Sequence, residues 1–133
     1  MKKTIFLSGP MRGIPRRESL GWRNEVGKRL SGVFVVTNPF RGREDNETMP
    51  SSKGAVVRDI YDLKHADVVL VNDTFENASM IGTAMELYIA YEAKIPVIVF
   101  GTAHEGDYWM EYHSHIRVGT LDEACKILTE LFS

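Results

Sequence analysis

Short apolar blocks alternate along the chain with longer stretches whose apolar positions recur every three or four residues. The first block, Thr4–Ser8, is stopped by Gly9-Pro10 and reads as a buried strand. From Glu18 to Leu30, the apolar residues Leu20, Trp22, Val26 and Leu30 are spaced for an amphipathic helix, with Gly32 as its C-cap. Val33-Phe34-Val35-Val36 is β-branched and aromatic and predicts a second strand. Asn38 to Ser52 is polar and holds Pro39, Gly42 and Pro50. It predicts a long surface loop, of a length usually tied to function or mobility.

Ser52 is placed to cap a helix running to about His65, with Val56, Val57, Ile60 and Leu63 on one face. Asp67–Asn72 predicts a third strand, apolar enough to be covered on both faces. The polar segment Asp73–Ser79 leads into a helix from Ile81 to Ala93, followed by a fourth strand at Pro96–Phe100. Gly101–Ser114, rich in His, Tyr and Trp, reads as a loop, and Ile116-Arg117-Val118 as a short last strand. Thr120-Leu121-Asp122-Glu123 is a capping box that opens a C-terminal helix. The order β-α-β-α-β-α-β-(β)-α predicts an α/β fold in a single domain over residues 1–133. Its mostly parallel sheet of four or five strands carries helices on both faces. Ligands in such sheets bind beyond the carboxyl ends of the strands, which points to Gly9–Pro15, Asp73–Gly82 and Gly101–Ser114.

Composition narrows this frame. A chain of 133 residues with 44% hydrophobic content suits one core, and no internal repeat is visible. The net charge of −2, with acids and bases intermixed, excludes a general nucleic-acid binder. It leaves room for a small phosphorylated ligand, which needs only a local cluster of donors. No run of eighteen apolar residues exists, so no membrane-spanning helix is expected. Met1–Ser8 has the outline of a signal peptide, but its apolar stretch is too short and Gly9-Pro10 ends it. Cys125 is the single cysteine and has no internal disulfide partner, so a reducing cytoplasm is the expected setting.

Three segments carry candidate chemistry. Ser8-Gly9-Pro10-Met11-Arg12-Gly13 follows the first strand and matches neither a dinucleotide fingerprint nor a Walker A loop. Two glycines around Arg12 suit close backbone approach to an anion, with the guanidinium fork on a phosphate. A turn with a solvated arginine fits the same pattern. Asp59 and Asp62 are three apart and share a helix face, while Asp67 opens a strand as a structural turn or cap residue. Glu86 follows Gly82 in the first turns of the third helix, where the helix N-terminus favours an ionised carboxylate. An ionised, positioned carboxylate is a competent nucleophile for an anomeric carbon, and a second carboxyl group in its acid form, such as Asp59, can protonate a leaving base. The plainer reading makes both acids ordinary helix-surface residues. The apolar neighbours Ala84, Met85 and Leu87, at the expected binding edge, favour function. His113-x-His115 lacks the further ligands a metal site needs. Tyr108, Trp109 and Tyr112 suit either stacking on a base or packing a subunit interface. No Ser-His-Asp order or G-x-S-x-G elbow is present.

Together these residues resemble the nucleoside 2-deoxyribosyltransferase family, nearest to its branch of nucleoside 5′-monophosphate N-glycosidases. Three blocks between Ile5 and Phe100 carry the resemblance: Ile5 to Gly13, Arg58-Asp59-Ile60 through Val71, and Ile81-Gly82-Thr83-Ala84-Met85-Glu86-Leu87 with Ala90-Tyr91 and Lys94–Val97. The resemblance implies a flavodoxin-like or Rossmann-like three-layer sandwich. It implies a glycosyl ester formed on Glu86, with Asp59 assisting protonation of the leaving base and no metal or cofactor. Substrate contacts are implied at Phe6, Ser8, Gly9, Pro10, Met11, Arg12 and Gly13, and at Ser79, Met80 and Gly82. It also implies a homodimer or higher homo-oligomer with shared sites, in which His113 or Ser114 could serve the neighbouring subunit.

Two positions depart from the family pattern. Phe6 stands where many members have a tyrosine, which resembles ribonucleotide-cleaving members. Met80 stands six residues before Glu86, where members usually have Asp or Ser, with Ser79 beside it. Arg12 and the missing acid at Met80 point to a phosphorylated substrate. The expectation is a nucleoside 5′-monophosphate N-glycosidase. The alternatives are a deoxyribosyltransferase that exchanges bases and a non-catalytic nucleotide-binding or sensing domain on the same fold.

Overall fold

A computed structural model describes residues 1–41 and 52–133, so most of the polar loop expected at Asn38–Ser52, with Gly42 and Pro50, lies outside the described residues. The strands are β1 (Thr4–Ser8), β2 (Val35–Thr37), β3 (Val68–Asn72), β4 (Val97–Phe100) and β5 (Ile116–Val118). The helices are α1 (Arg16–Leu30), α2 (Ser52–Lys64), α3 (Ile81–Glu92), α4 (Tyr108–Tyr112) and α5 (Leu121–Phe132). Every strand pairing is parallel, and the sheet order is β2-β1-β3-β4-β5. This is the flavodoxin-like order, whose topological switch point lies between β1 and β3.

Strand alternation divides the core into two layers. Ile5, Leu7, Val68, Leu70, Ile98 and Phe100 face one side, where Val26 and Leu30 of α1 and Ala124, Cys125 and Leu128 of α5 cover them. Phe6, Val69, Val71, Val97 and Val99 face the other, beneath Leu63 of α2, Leu87 and Ala90 of α3 and Met110 of α4. All five residues of β3 are buried, as a central strand covered on both faces requires.

Several local expectations change. The buried stripe of α1 is Ser19, Arg23, Val26 and Leu30, while Leu20 and Trp22 are only partly covered. The helix ends at Ser31, whose N–H donates to the Gly27 carbonyl, and Gly32 does not take the left-handed conformation of a glycine cap. The second strand begins two residues later than expected because Phe34 turns into the core before pairing starts. Val56 and Val57 stay exposed, so the apolar face of α2 narrows to Ile60 and Leu63. Asp67 is structural: its Oδ2 accepts from the Thr4 N–H at 2.8 Å and ties the start of β3 to β1. The expected loop 101–114 contains α4, opened by Asp107, whose side chain accepts from the Met110 N–H. Thr120 caps α5 by accepting from the Glu123 N–H at 3.2 Å.

Candidate active site

A cavity of about 350 Å³ opens at the carboxyl end of the sheet. That lies at the small end of the range, roughly 300–1,000 Å³, typical of small-molecule sites. The turn after β1 supplies Gly9, Pro10, Met11 and Arg12. Pro39 and Val56 form apolar wall, and Asp59 reaches in from α2. Ser79, Ile81, Gly82, Thr83 and Glu86 come from the start of α3 and the residues before it. Met80 precedes this helix and offers its first turn no side-chain hydrogen bond, so the N–H groups of that turn keep donor capacity towards the cavity.

The three blocks singled out in the sequence therefore converge, although Ser8 and Glu86 are 78 residues apart. Ser8, itself buried, donates from Oγ to Oε1 of Glu86 at 2.6 Å. Glu86 is partly exposed as a residue, yet its carboxyl pKa is raised to about 7. Burial is the leading cause, Ser8 opposes it, the charge of Asp59 adds to it, and Arg23 opposes it. This corrects the expectation of a carboxylate favoured by the helix N-terminus. Glu86 lies in the second turn of α3, and the helix field fades within the first. Desolvation outweighs what remains.

Other expected site residues are distributed unevenly. Phe6 is fully buried on the same sheet face as Ser8, two residues deeper, and does not line the cavity. Gly13 takes φ +79° and helps line a separate shallow depression with Ile14 and Asn77. Ser79 lines the cavity, whereas Met80 packs against the core. Asp62 turns to Arg41 at 2.7 Å, leaving Asp59 as the carboxylate of that helix face in the cavity wall. Arg58 donates to the carbonyls of Pro39 and Arg41 and so ties α2 to the same wall.

Tyr108 and Trp109, with Tyr112 and His113, line a different groove on α3 and α4. His113 Nδ1 meets the Trp109 carbonyl at 2.6 Å, and His115 Nδ1 accepts from the Val97 N–H at 3.0 Å. Among the described residues, no group of three or more His, Cys, Asp or Glu side chains is arranged to hold a metal. No described helix is long and apolar enough to cross a membrane.

Leu7, Arg23, Pro39, Val56, Ile81 and Thr83 line the cavity without having been expected there from the sequence, and Arg23 is the charged one among them. It is 1% exposed, and its guanidinium donates to the Ser19 carbonyl, Ser19 Oγ and the Gly9 carbonyl. The available signal was its place four residues after Ser19 and three before Val26, on the stripe that faces the sheet.

No family model matches the sequence, and no curated relative matches it. Among solved structures, the 2-deoxyribosyltransferase of Bacillus psychrosaccharolyticus is similar with a TM-score of 0.72 at 19% identity, over 91% of this chain and 89% of that one. A conserved protein from Enterococcus faecalis V583 is similar with a TM-score of 0.71 at 13% identity, covering 98% and 99%. A CMP N-glycosidase of Clostridium botulinum is similar with a TM-score of 0.64 at 18% identity, covering 96% and 98%. The chain thus shares one fold with these proteins over nearly its whole length.

Proposed function

We propose that the chain is a nucleoside 5′-monophosphate N-glycosidase of the nucleoside 2-deoxyribosyltransferase family, acting through Glu86 with water as the acceptor. The observation that carries this reading is the Glu86 carboxyl, hydrogen-bonded to Ser8 in a cavity that also holds Asp59. Two carboxyl groups in one cavity are the equipment of glycosidic cleavage, one to attack and one to manage protons. Glu86 attacks the anomeric carbon, an ester bond forms, and the bond to the base breaks with its electron pair leaving on the base nitrogen. Asp59 supplies the proton that the departing base takes up. Water then attacks the same carbon and gives its proton to Asp59, the ester opens, and the Glu86 carboxylate and the Asp59 acid are both restored.

Arg12 at the cavity and the uncapped first turn of α3 suit a phosphate on the 5′ side of the sugar. The exposed apolar residues Met85 and Tyr88 of α3 and Tyr108, Trp109 and Tyr112 of α4 suit a homo-oligomer contact next to the site. Base release from a panel of ribo- and deoxyribonucleoside monophosphates tests the assignment. Glu86→Ala should lower release by about a thousandfold or more, and undiminished release would sink it. Arg12→Ala should raise KM for monophosphates and leave nucleosides little changed.

The second reading is a deoxyribosyltransferase, which takes an unphosphorylated nucleoside and passes the sugar to another base instead of water; the similarity to the Bacillus psychrosaccharolyticus enzyme favours it. Supplying a nucleoside with a free acceptor base separates the two, because only a transferase yields the exchanged nucleoside.

A further inference from the structure

We propose that Arg23 is a positioning residue for Glu86: buried in the cavity wall, it holds the turn that follows Ser8 and sets a positive charge on the same cavity as the Glu86 carboxyl. The catalytic meaning of this inference rests on the proposed role of Glu86, whereas the coupling between the two side chains does not.

A guanidinium withdrawn from water needs acceptors for its N–H groups and an opposing charge. Arg23 Nη1 donates to the Ser19 carbonyl at 2.7 Å and to Ser19 Oγ at 2.8 Å, and Nη2 donates to the Gly9 carbonyl at 3.0 Å. These acceptors are neutral, and Nε is buried without a hydrogen-bond partner among the described residues. The rings of Trp22 and Phe40 lie 4.6 and 5.4 Å from the guanidinium carbon and accept some of its charge as cation–π partners. The carboxylates that oppose its desolvation are Glu86 and Asp59, across the cavity. Burial lowers the Arg23 pKa only to about 10, so the group stays cationic at neutral pH.

The mechanical link runs through Gly9. Its carbonyl is held by Arg23, and a Cβ there would meet Trp22 Cζ2 at 3.0 Å and Arg23 Nη2 at 3.6 Å. The preceding residue, Ser8, donates to Glu86. Glu86 therefore faces Ser8 from β1, Arg23 from α1 and Asp59 from α2, with Arg12 on the same cavity from the turn after β1. Ser8 and Arg23 favour the carboxylate, and Asp59 disfavours it. A lysine in place of Arg23 keeps the charge but lacks the planar fork that bonds Ser19 and Gly9 together.

The test follows the Glu86 carboxyl by ¹³C NMR titration of the full chain in wild-type, Arg23→Lys and Arg23→Met proteins. In Arg23→Met the midpoint should rise by about one pH unit, and in Arg23→Lys it should stay near the wild-type value. The acid limb of kcat for base release should move with it. Arg23→Met should be about tenfold slower at pH 6, converging with wild type at high pH, with KM little changed. An unmoved midpoint in folded Arg23→Met overturns the proposal. If that variant does not fold, the wild-type Arg23 side-chain ¹⁵N signals must titrate with the Glu86 midpoint, and a flat Arg23 response overturns it. Coupled titration in a protein that releases no base from any monophosphate would keep the Arg23–Glu86 coupling and discard the N-glycosidase reading.

Discussion

The block around Glu86 makes it a candidate in the sequence, but its charge state is not legible there. A carboxyl raised from 4.5 to about 7 holds a proton in the folded chain that the unfolded chain has already released between those values. Folding stability therefore falls as pH rises through that window, and a shift of this size is worth about 3 kcal/mol above it. Glu86→Gln, which never ionises, should be more stable than wild type at pH 8 by on the order of 2 kcal/mol and no more stable at pH 4. Urea titrations at the two pH values check this, and an equal effect at both would remove the buried charge as the cause. Activity has the opposite sign under the proposed mechanism. There the attacking form is the carboxylate, so kcat/KM should climb with pH through about 7. Ser8→Ala removes a hydrogen bond that favours the carboxylate, and should displace that limb to higher pH. A limb that stays in place would show that Ser8 does not set the ionisation of Glu86.

At the scale of elements, the strand ends are clamped by a group outside the candidate site. Asp73 follows β3, is fully buried, and accepts from His104 at 2.6 Å and from Arg117 of β5 at 2.9 Å. Arg117 also donates to the Gly101 carbonyl, and Gly101 takes φ +96° with its Cβ position 2.4 Å from the Asp73 carbonyl oxygen. Gly101→Ala should therefore cost about 2 kcal/mol or more, and Asp73→Ala, which leaves Arg117 with Glu111 as its remaining carboxylate and removes the acceptor of the His104 N–H, about 2 kcal/mol or more. Thermal melts of the two variants test this clamp, and a loss under about 0.5 kcal/mol in either would contradict it. None of this was legible in the sequence, because Asp73, His104 and Arg117 meet only when three strands lie side by side. Helix α4 escaped for a local reason: with five residues it shows too little period to separate it from a loop.

For the whole molecule, the proposed homo-oligomer contact gives the last prediction. Met85, Tyr108, Trp109 and Tyr112 are 62%, 87%, 72% and 68% exposed, and together they make an apolar face larger than scattered surface residues would. Sedimentation of the wild-type chain should give a mass above that of one 15.0 kDa chain, and Trp109→Glu should return it to the monomer. Unchanged sedimentation on that substitution would remove this face as the contact.

The sequence by itself determined the alternation of strands and helices and the two-sided burial of β3, and it marked out three local blocks whose meeting in one cavity the tertiary structure supplied. The first two features follow from the period of the backbone and from residues close together in the chain. The tertiary structure alone decided the order β2-β1-β3-β4-β5, the turning of Asp62 to Arg41 while Asp59 lines the cavity, and the presence of Arg23 in its wall. It alone decided that burial raises the Glu86 carboxyl to about 7. The reason is physical. Desolvation and charge act through space, between residues as far apart in sequence as Ser8 and Glu86, and no local pattern reports them.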